Sequence, residues 1–510
     1  MTKRVKIIFA SGAVLLVCII GYVLIRIFSH SSDAHLKLIP KDAAAVLKID
    51  IKSLATKADF LKLMQEPAFK KIPASGKASL HQLISDPFAT GIDPLENVYG
   101  FLAKDGENTV SAIVFKVADE KDLSSFVEGL AIGQAVENES GIYYSVIDAT
   151  RCIAWNDEAG IILAATGDAK SIAENYLNQG KDESILSSGD YETFSDKSFD
   201  IGLFLNNKML TRMSTAFYDV ATLGYADGHG EVLLNFENDK ISAVYTNYQA
   251  TASATNFLKT AGFSPQHFEA IAPQAPLAVL AIAADVNTLF NAMEKEPEMK
   301  TDIAELENYL ELSDASTRKL FNGDISISFT DFKDISNYDP RIKLSQDKIP
   351  LAVPMTYITL GITDNNKMNS VLGKMGMRKI NNFYALPGLD MILYAAAKNG
   401  HLLITNDYYA ADTLSQSGKF STKLPSAISA SNPFLVWADL DQKHFPVAFT
   451  DAMKENYNDQ AVSFFLDALK PFQSLKMESK GTGSQLDLFV QPGEGNSLYR
   501  LLSYFGTLAN

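Results

Sequence analysis

Cysteine is nearly missing from this chain. Only Cys18 and Cys152 occur in 510 residues. Cys18 sits inside an apolar N-terminal run, so the folded part has a single thiol and cannot close an internal disulfide. Positive charge is short as well, the net charge being −15. Lys3, Arg4, Lys6 and Arg26 are the only bases before residue 34 and Asp33 the only acid, which leaves 41 bases against 59 acids in the remainder. Phosphate backbones repel so acidic a surface, and nucleic acid is not expected as a partner. Catalytic signatures are lacking too. The seven histidines form no H-E-x-x-H and no Cys/His cluster, there is no G-x-S-x-G elbow, and "ASGKAS" at 74–79 lacks the upstream glycine of a phosphate loop. No cofactor is implied.

One long hydrophobic run is present. Three bases open the chain, and residues Ile7 to Ile25 are then uncharged. Nineteen residues in a helix span about 28 Å, close to the hydrocarbon thickness of a bilayer. The reading is an uncleaved signal anchor over 7–28, preceded by a cytoplasmic tail (1–6) and followed by a polar tether (29–37). The alternatives are a cleaved signal, whose apolar core is shorter, and lipidation at Cys18, which follows Val17 where a small residue is usual. The basic flank makes this a single-pass protein of the inner (cytoplasmic) membrane with a periplasmic body.

Beyond the tether the composition is that of a globular protein, with 47% apolar and 21% charged residues, long enough for two or three domains. The chain also repeats itself. "IPKDAAAVLKIDI" from Ile39 has its echo in "APQAPLAVLAIAA" from Ala272, aligning Ala45-Val46-Leu47 with Ala278-Val279-Leu280. "IVFKVADEKDLSSFVEGL" (113–130) matches "ITLGITDNNKMNSVLGKM" (358–375), and "YSVIDATRCIAWNDEAGIILAATGD" (144–168) parallels "YALPGLDMILYAAAKNGHLLITND" (384–407). Ordered matches at a period near 240 residues indicate a tandem duplication, too long in period for a solenoid.

Each copy has one local grammar. A β-rich run ends in an aspartate, and a helical period begins at once. Asp119 precedes Leu123, Phe126, Val127 and Leu130; Asp364 precedes Met368, Val371, Leu372 and Met375. Such aspartates cap the free N–H groups of a first turn, and Asp168 and Asp407 are read the same way. "KDGEN", "KNG" and "ENDK" supply hairpin turns. The expected fold is therefore α+β: two homologous domains, 38–255 and 268–510, each a largely antiparallel sheet with helices on one face, after one N-terminal transmembrane helix. Helical crossovers leave room for some parallel pairing.

The copies part at Thr330–Pro354, where the second has a long insertion in place of a tight turn. Asp331, Phe332, Asp334, Tyr338, Asp339 and Arg341 lie there. Aromatics among charges suit a binding loop; a solvated loop or an added edge strand is the plainer alternative, and a calcium ion held by Asp331, Asp334 and Asp339 a further one. Elsewhere the plain reading is preferred. Asp227, His229 and Glu231 alternate as strand ligands might be spaced, but glycines beside them indicate a turn. Ser316–Lys319 matches S-x-x-K by chance. Cys152 is expected as a buried inert thiol with Arg151 facing away, and Trp155 and Trp437 as core side chains rather than groove walls.

"IPKDAAAVLKIDIKSL", "GIDPLENVYGFLAKDG" and "YYSVID" with "CIAWNDEAGIILAATGD" together resemble an uncharacterised family of Bacteroidetes cell-envelope proteins known only as a domain of unknown function. The resemblance covers most of the chain after residue 36 and implies an envelope address. It brings no catalytic residues, and this chain departs from the family's lipoprotein members in lacking a lipobox. Function is read first as a membrane-anchored, non-enzymatic binding or scaffolding module with an envelope protein as partner. A lipid- or peptide-binding carrier with an apolar groove comes second, and a hydrolase with a site assembled from distant residues third.

Overall fold

The computed structural model describes residues 33–67, 87–213, 228–248, 258–294, 297–310, 313–334, 352–387, 392–422 and 424–508. The expected anchor lies outside the described residues, and among them no helix is long and apolar enough to cross a membrane. The chain divides into two units. The first comprises Met1–Ser253, Gly481–Gly483 and Val490–Asn510, the second Ala254–Lys480 and Ser484–Phe489.

The first unit is built on β1 (Ala45–Ile49), β2 (Val98–Asp105), β3 (Asn108–Lys116), β4 (Glu137–Glu139), β5 (Ile142–Asp148), β6 (Arg151–Trp155), β7 (Ala159–Ala165), β8 (Ile201–Asn206), β9 (His229–Phe236) and β10 (Lys240–Tyr248). Their order across the sheet is β4-β5-β6-β7-β3-β2-β1-β8-β9-β10, antiparallel throughout. The second unit has β11 (Ala278–Ala283), β12 (Phe321–Asp334), β13 (Ala352–Ile362), β14 (Arg378–Ile380), β15 (Phe383–Pro387), β16 (Ile392–Lys398), β17 (His401–Thr405), β18 (Phe434–Asp439) and β19 (Phe472–Lys480). Their order is β14-β15-β16-β17-β13-β12-β11-β18-β19, again antiparallel. Over nine strands the two patterns coincide. The parallel pairing that crossovers would have permitted does not occur among the described strands.

Turn chemistry fixes the hairpins. Asn399 (φ 48°) and Gly400 (φ 83°) join β16 to β17, both in the left-handed region that a two-residue I′ turn requires. The four expected caps all form. Asp119 accepts from Lys121 N and Asp122 N at the start of α1 (Glu120–Leu130), and Asp168 from Lys170 N and Ser171 N at α2 (Ala169–Leu177). Asp364 does so for Asn366 N and Lys367 N at α3 (Asn365–Lys374), and Asp407 for Ala410 N at α4 (Tyr408–Ser417).

The helices do not share one face, contrary to expectation. A strand turns alternate side chains to opposite sides. In β6, Cys152 and Ala154 pack with Ile172, Ala173 and Tyr176 of α2, whereas Ile153 and Trp155 pack with Leu123, Phe126 and Val127 of α1. The second unit does the same: Tyr394 and Ala396 of β16 meet Ala410, Ala411 and Leu414 of α4, and Ala395 and Ala397 meet Met368, Val371 and Leu372 of α3. A helical stripe shows that a helix is covered on one side but not which side of the sheet it covers.

Two expected boundaries also move. Residues Asp33–Leu38 form a short 3₁₀ helix rather than tether. Leu36 and Leu38 enter the first core, and His35, 1% exposed, contacts the Asn97 carbonyl at 3.1 Å. The C-terminal helix Ser497–Leu508 belongs to the first unit, not the second repeat. Its Leu498, Tyr499 and Leu502 pack with Ile51, Leu54 and Leu63, and Tyr499 and Ser503 both donate to the Glu66 carboxylate, at 2.6 and 2.7 Å. Leu498→Ala is accordingly expected to destabilise the first unit by roughly 2–5 kcal/mol. Hydrogen exchange should then quicken in the helices Ile51–Lys57 and Phe60–Gln65 and stay unchanged in α4.

Candidate functional site

The open part of the first sheet is where an unused surface lies. On β3, Val110, Ala112 and Val114 point into the core beneath α2. Phe115 and Val117, at one end of the other face, are covered by α1. Ser111 and Ile113 share that second face but lie beyond the helix, and Ile113 is 46% exposed. Following the register outward from Ile113 gives one row across five strands: Leu203 on β8, Leu47 on β1, Gly100 on β2, Ile113 on β3 and Ile162 on β7. Ile162 is 41% exposed. A neighbouring row runs Ala45, Leu102, Ser111, Ala164 and Arg151.

Between these rows lies a groove of about 430 Å³. Its lining offers two polar side chains, Ser111 and Arg151. Arg151 stands at the β6 end with Nε and Nη2 held by Asp148 Oδ2, at 2.8 and 2.5 Å. This pairing holds the Asp148 carboxyl well below the usual carboxylate range, helped by Thr150. Exposed aliphatic side chains so aligned are uncommon on a soluble surface, and such a surface can remove hydrocarbon from water.

The insertion of the second unit is strand at both ends rather than a free loop. β12 and β13 continue past a register shift after Phe329 and pair Phe332 with Pro354, Lys333 with Val353 and Asp334 with Ala352. Asp331, Phe332 and Asp334 therefore lie on the hairpin; Tyr338, Asp339 and Arg341 lie outside the described residues. The Phe332 ring is 5.0 Å from that of Phe449, on the helix Val447–Asn456. Asp331 accepts from Phe332 N at 2.7 Å and lies 3.9 Å from Lys333 Nζ. Lys333 borders a small polar hollow of about 140 Å³ shared with Gln274, Tyr357, Asp407 and Tyr409. There Tyr357 donates to Asp407 at 2.8 Å. Among the described residues no group of His, Cys, Asp and Glu is arranged to hold a metal ion.

β12 also turns polar side chains inward. Asp324, Ser326, Ser328 and Thr330 are all buried; the first three tie the preceding segment to the sheet, and Thr330 donates to Tyr357 at 3.3 Å. Ser328 donates to the Ile271 carbonyl at 2.5 Å, Asp324 accepts from Lys259 Nζ at 2.7 Å and from Ser264 N at 3.0 Å, and His267 Nε2 lies 3.1 Å from Ser326 Oγ. The His401 ring is 6.1 Å from that of His267, and Nδ1 of each finds no partner among the described residues. Burial first, and then the positive charges of His401 and Lys259, push His267 down to about 4 against the pull of Asp324; burial lowers His401 as well.

The remaining sequence candidates are structural. Asp227 lies outside the described residues. His229 opens β9 after the turn glycine Gly228 (φ 86°) and stacks on Tyr248, while the buried Glu231 is paired with Lys197. Cys152 is fully buried, which pushes its thiol up to about 11, and it faces away from Arg151 as strand alternation requires. Trp155 stacks on Tyr143 at 5.7 Å and Trp437 lies among Val279, Leu435 and Phe263; neither lines the groove. The groove itself went unread in the sequence. Its one local signal is the glycine inside the strand "VYGFLAKD".

A family model described as a domain of unknown function (DUF4836) matches residues 36–454. No curated protein matches the chain. Solved structures of TP0453 resemble it in part. Crystal form I covers 44% of this chain and 82% of that one at 10% identity and a TM-score of 0.27. Crystal form III covers 44% and 83% at 12% identity and 0.28, and crystal form IV 42% and 81% at 11% identity and 0.26.

The histidine environment carries a pH dependence. His267 titrates near 4 when folded and near its ordinary 6.5 when unfolded, so between those values the unfolded chain binds more protons. Its contribution to stability is complete above pH 6.5 and is lost as pH falls toward 4. Urea midpoints of the second unit should decline across pH 6.5 to 4.5, and His267→Gln should flatten that decline.

Proposed function

This chain belongs to the DUF4836 family, and we propose that it is a non-enzymatic binding module of the cell envelope whose binding surface is the apolar groove of its first unit. Residues 7–28 anchor it in the inner membrane, and its body faces the periplasm. The two units descend from a tandem duplication. Support for the duplication comes from the coinciding strand orders, the four aspartate caps at matching places and the ordered sequence matches near a 240-residue period.

The observation that carries the binding reading is the exposed row through Leu47, Ile113 and Ile162. Ile113 and Ile162, 46% and 41% exposed, aligned with the half-buried Leu47 on a rigid sheet, form the kind of surface that small apolar ligands occupy. The fused volume of about 430 Å³ falls in the range of small-molecule sites, roughly 300–1,000 Å³. Protein purified gently from its own cells should yield an organic-extractable ligand by mass spectrometry, and Ile113→Asp should abolish it without shifting the unfolding midpoint. Equal yield from the variant would refute the groove as the binding surface.

A protein-partner reading draws on the lengthened hairpin, where Phe332, Phe445 and Phe449 are in ring contact beside Val447, which is 75% exposed. Here Asp331, Phe332, Asp334, Tyr338, Asp339 and Arg341 would meet an envelope protein. In-cell crosslinking should lose that partner when residues 336–350 are replaced by a short turn. An unchanged crosslinking pattern would remove the hairpin from consideration.

A further inference from the structure

We infer that the groove of the first unit takes a single long-chain fatty carboxylate, with its hydrocarbon across the strands and its head at Arg151. This rests on the binding reading above and names the ligand class. The size of the site argues against a protein. Fourteen residues line it, fewer than the roughly 20–30 per side of a specific protein interface.

Its chemistry argues against a peptide. β1 is already paired on both sides, with β2 and β8, and β3 with β2 and β7, so their backbone groups are used within the sheet. A peptide laid in the groove would bury its own N–H and C=O groups against aliphatic side chains, at a cost of about 1–3 kcal/mol for each left unpaired. A hydrocarbon chain has no such groups. The row from Leu203 to Ile162 crosses four strand spacings, roughly 19 Å, which is the length of an extended palmitoyl chain. Arg151 is the one charged side chain of the lining. Asp148 takes its Nε and Nη2, leaving Nη1 to an incoming carboxylate.

Gly100 is the decisive residue. It lies in the middle of the row, opposite Leu47 and Ile113. A Cβ there would sit 3.6 Å from Leu47 Cβ and 3.7 Å from the Ala112 carbonyl, ordinary contact distances, and the backbone is not left-handed. The strand therefore has no conformational need of glycine, and glycine inside a strand weakens it. What the missing side chain provides is an open floor. In the second unit the same place in the ladder, between Leu280 and Ile358, is occupied by Ile327. Fatty-acid binding is thus a property of the first unit alone.

The full-length chain in phosphatidylcholine nanodiscs would be irradiated with a palmitate carrying a photoactivatable group on its chain, and the adducts mapped by mass spectrometry. Adducts are expected on the β3 and β7 peptides holding Ile113 and Ile162. Gly100→Leu should reduce them about tenfold or more while the unfolding midpoint holds or rises; Gly100→Ala, which leaves the floor open, should retain them. Arg151→Gln should weaken palmitate labelling and leave labelling by the matching long-chain alcohol unchanged. Adducts that survive Gly100→Leu, or that spread evenly over both units, would overturn the proposal. So would equal labelling by acid and alcohol in the unaltered chain. If palmitate gives no adducts while an extractable ligand still depends on Ile113, the ligand class is wrong and the binding reading stands; if neither is seen, both fall.

Discussion

Everything in this molecule depends on the two-sidedness of a pleated sheet. A strand cannot satisfy one core without presenting its alternate residues to the other side, and here that other side must be covered too. In each unit helices lie on both faces, α4 and α3 in the second, α2 and α1 in the first, where the helices Ile51–Lys57 and Ser497–Leu508 also cover α1's face at Ile49, Ile201 and Leu234. α1 is eleven residues long, about 17 Å, and cannot span a sheet ten strands wide. The face under α2 is closed further by the 3₁₀ helix Asp33–Leu38 and by Tyr191 and Phe194, whereas the middle of the other face has no such cover among the described residues, and the groove lies there.

Local chemistry was legible because it acts over a few residues. Aspartates before helical stripes, Asn-Gly and Asp-Gly turns, a thiol and two indoles inside apolar runs all stand where side-chain chemistry puts them. Relations across the sheet were not legible. Leu47, Gly100, Ile113 and Ile162 become neighbours only through registers between strands that are 13 to 53 residues apart in sequence, and nothing within any one strand states its partner. The length and polarity of the insertion suit a loop as well as an added strand, and β12 carries polar side chains inward from Asp324 onward. Ser328 and Ser326 are matched by the Ile271 carbonyl and His267 of the segment before β11, and Thr330 by Tyr357, so the usual sign of burial is reversed there.

The two units also show how one framework tolerates opposite uses of a face. At the centre of the row, glycine stands in one and isoleucine in the other. Beside it the first unit has the exposed Ser111 and Ala164, whereas the second has Thr356, whose backbone N–H is bound by the buried Asn406. The second unit fills this place with a side chain; the first leaves it open.

The placement of the C-terminal helix has a consequence for how the chain is made. Ile51, Leu54 and Leu63 are fully covered only when Leu498, Tyr499 and Leu502 reach them, so the first unit to be synthesised is the last to be finished. The intervening unit is translated whole before that happens, and domains ordinarily complete in the order they emerge. A product truncated anywhere before residue 497 would leave the same apolar cluster bare, however far translation had gone. The helix Ser497–Leu508 acts in this sense as a late cover: quality-control proteases that read exposed hydrophobic surface meet it at a single place in any chain that lacks this helix.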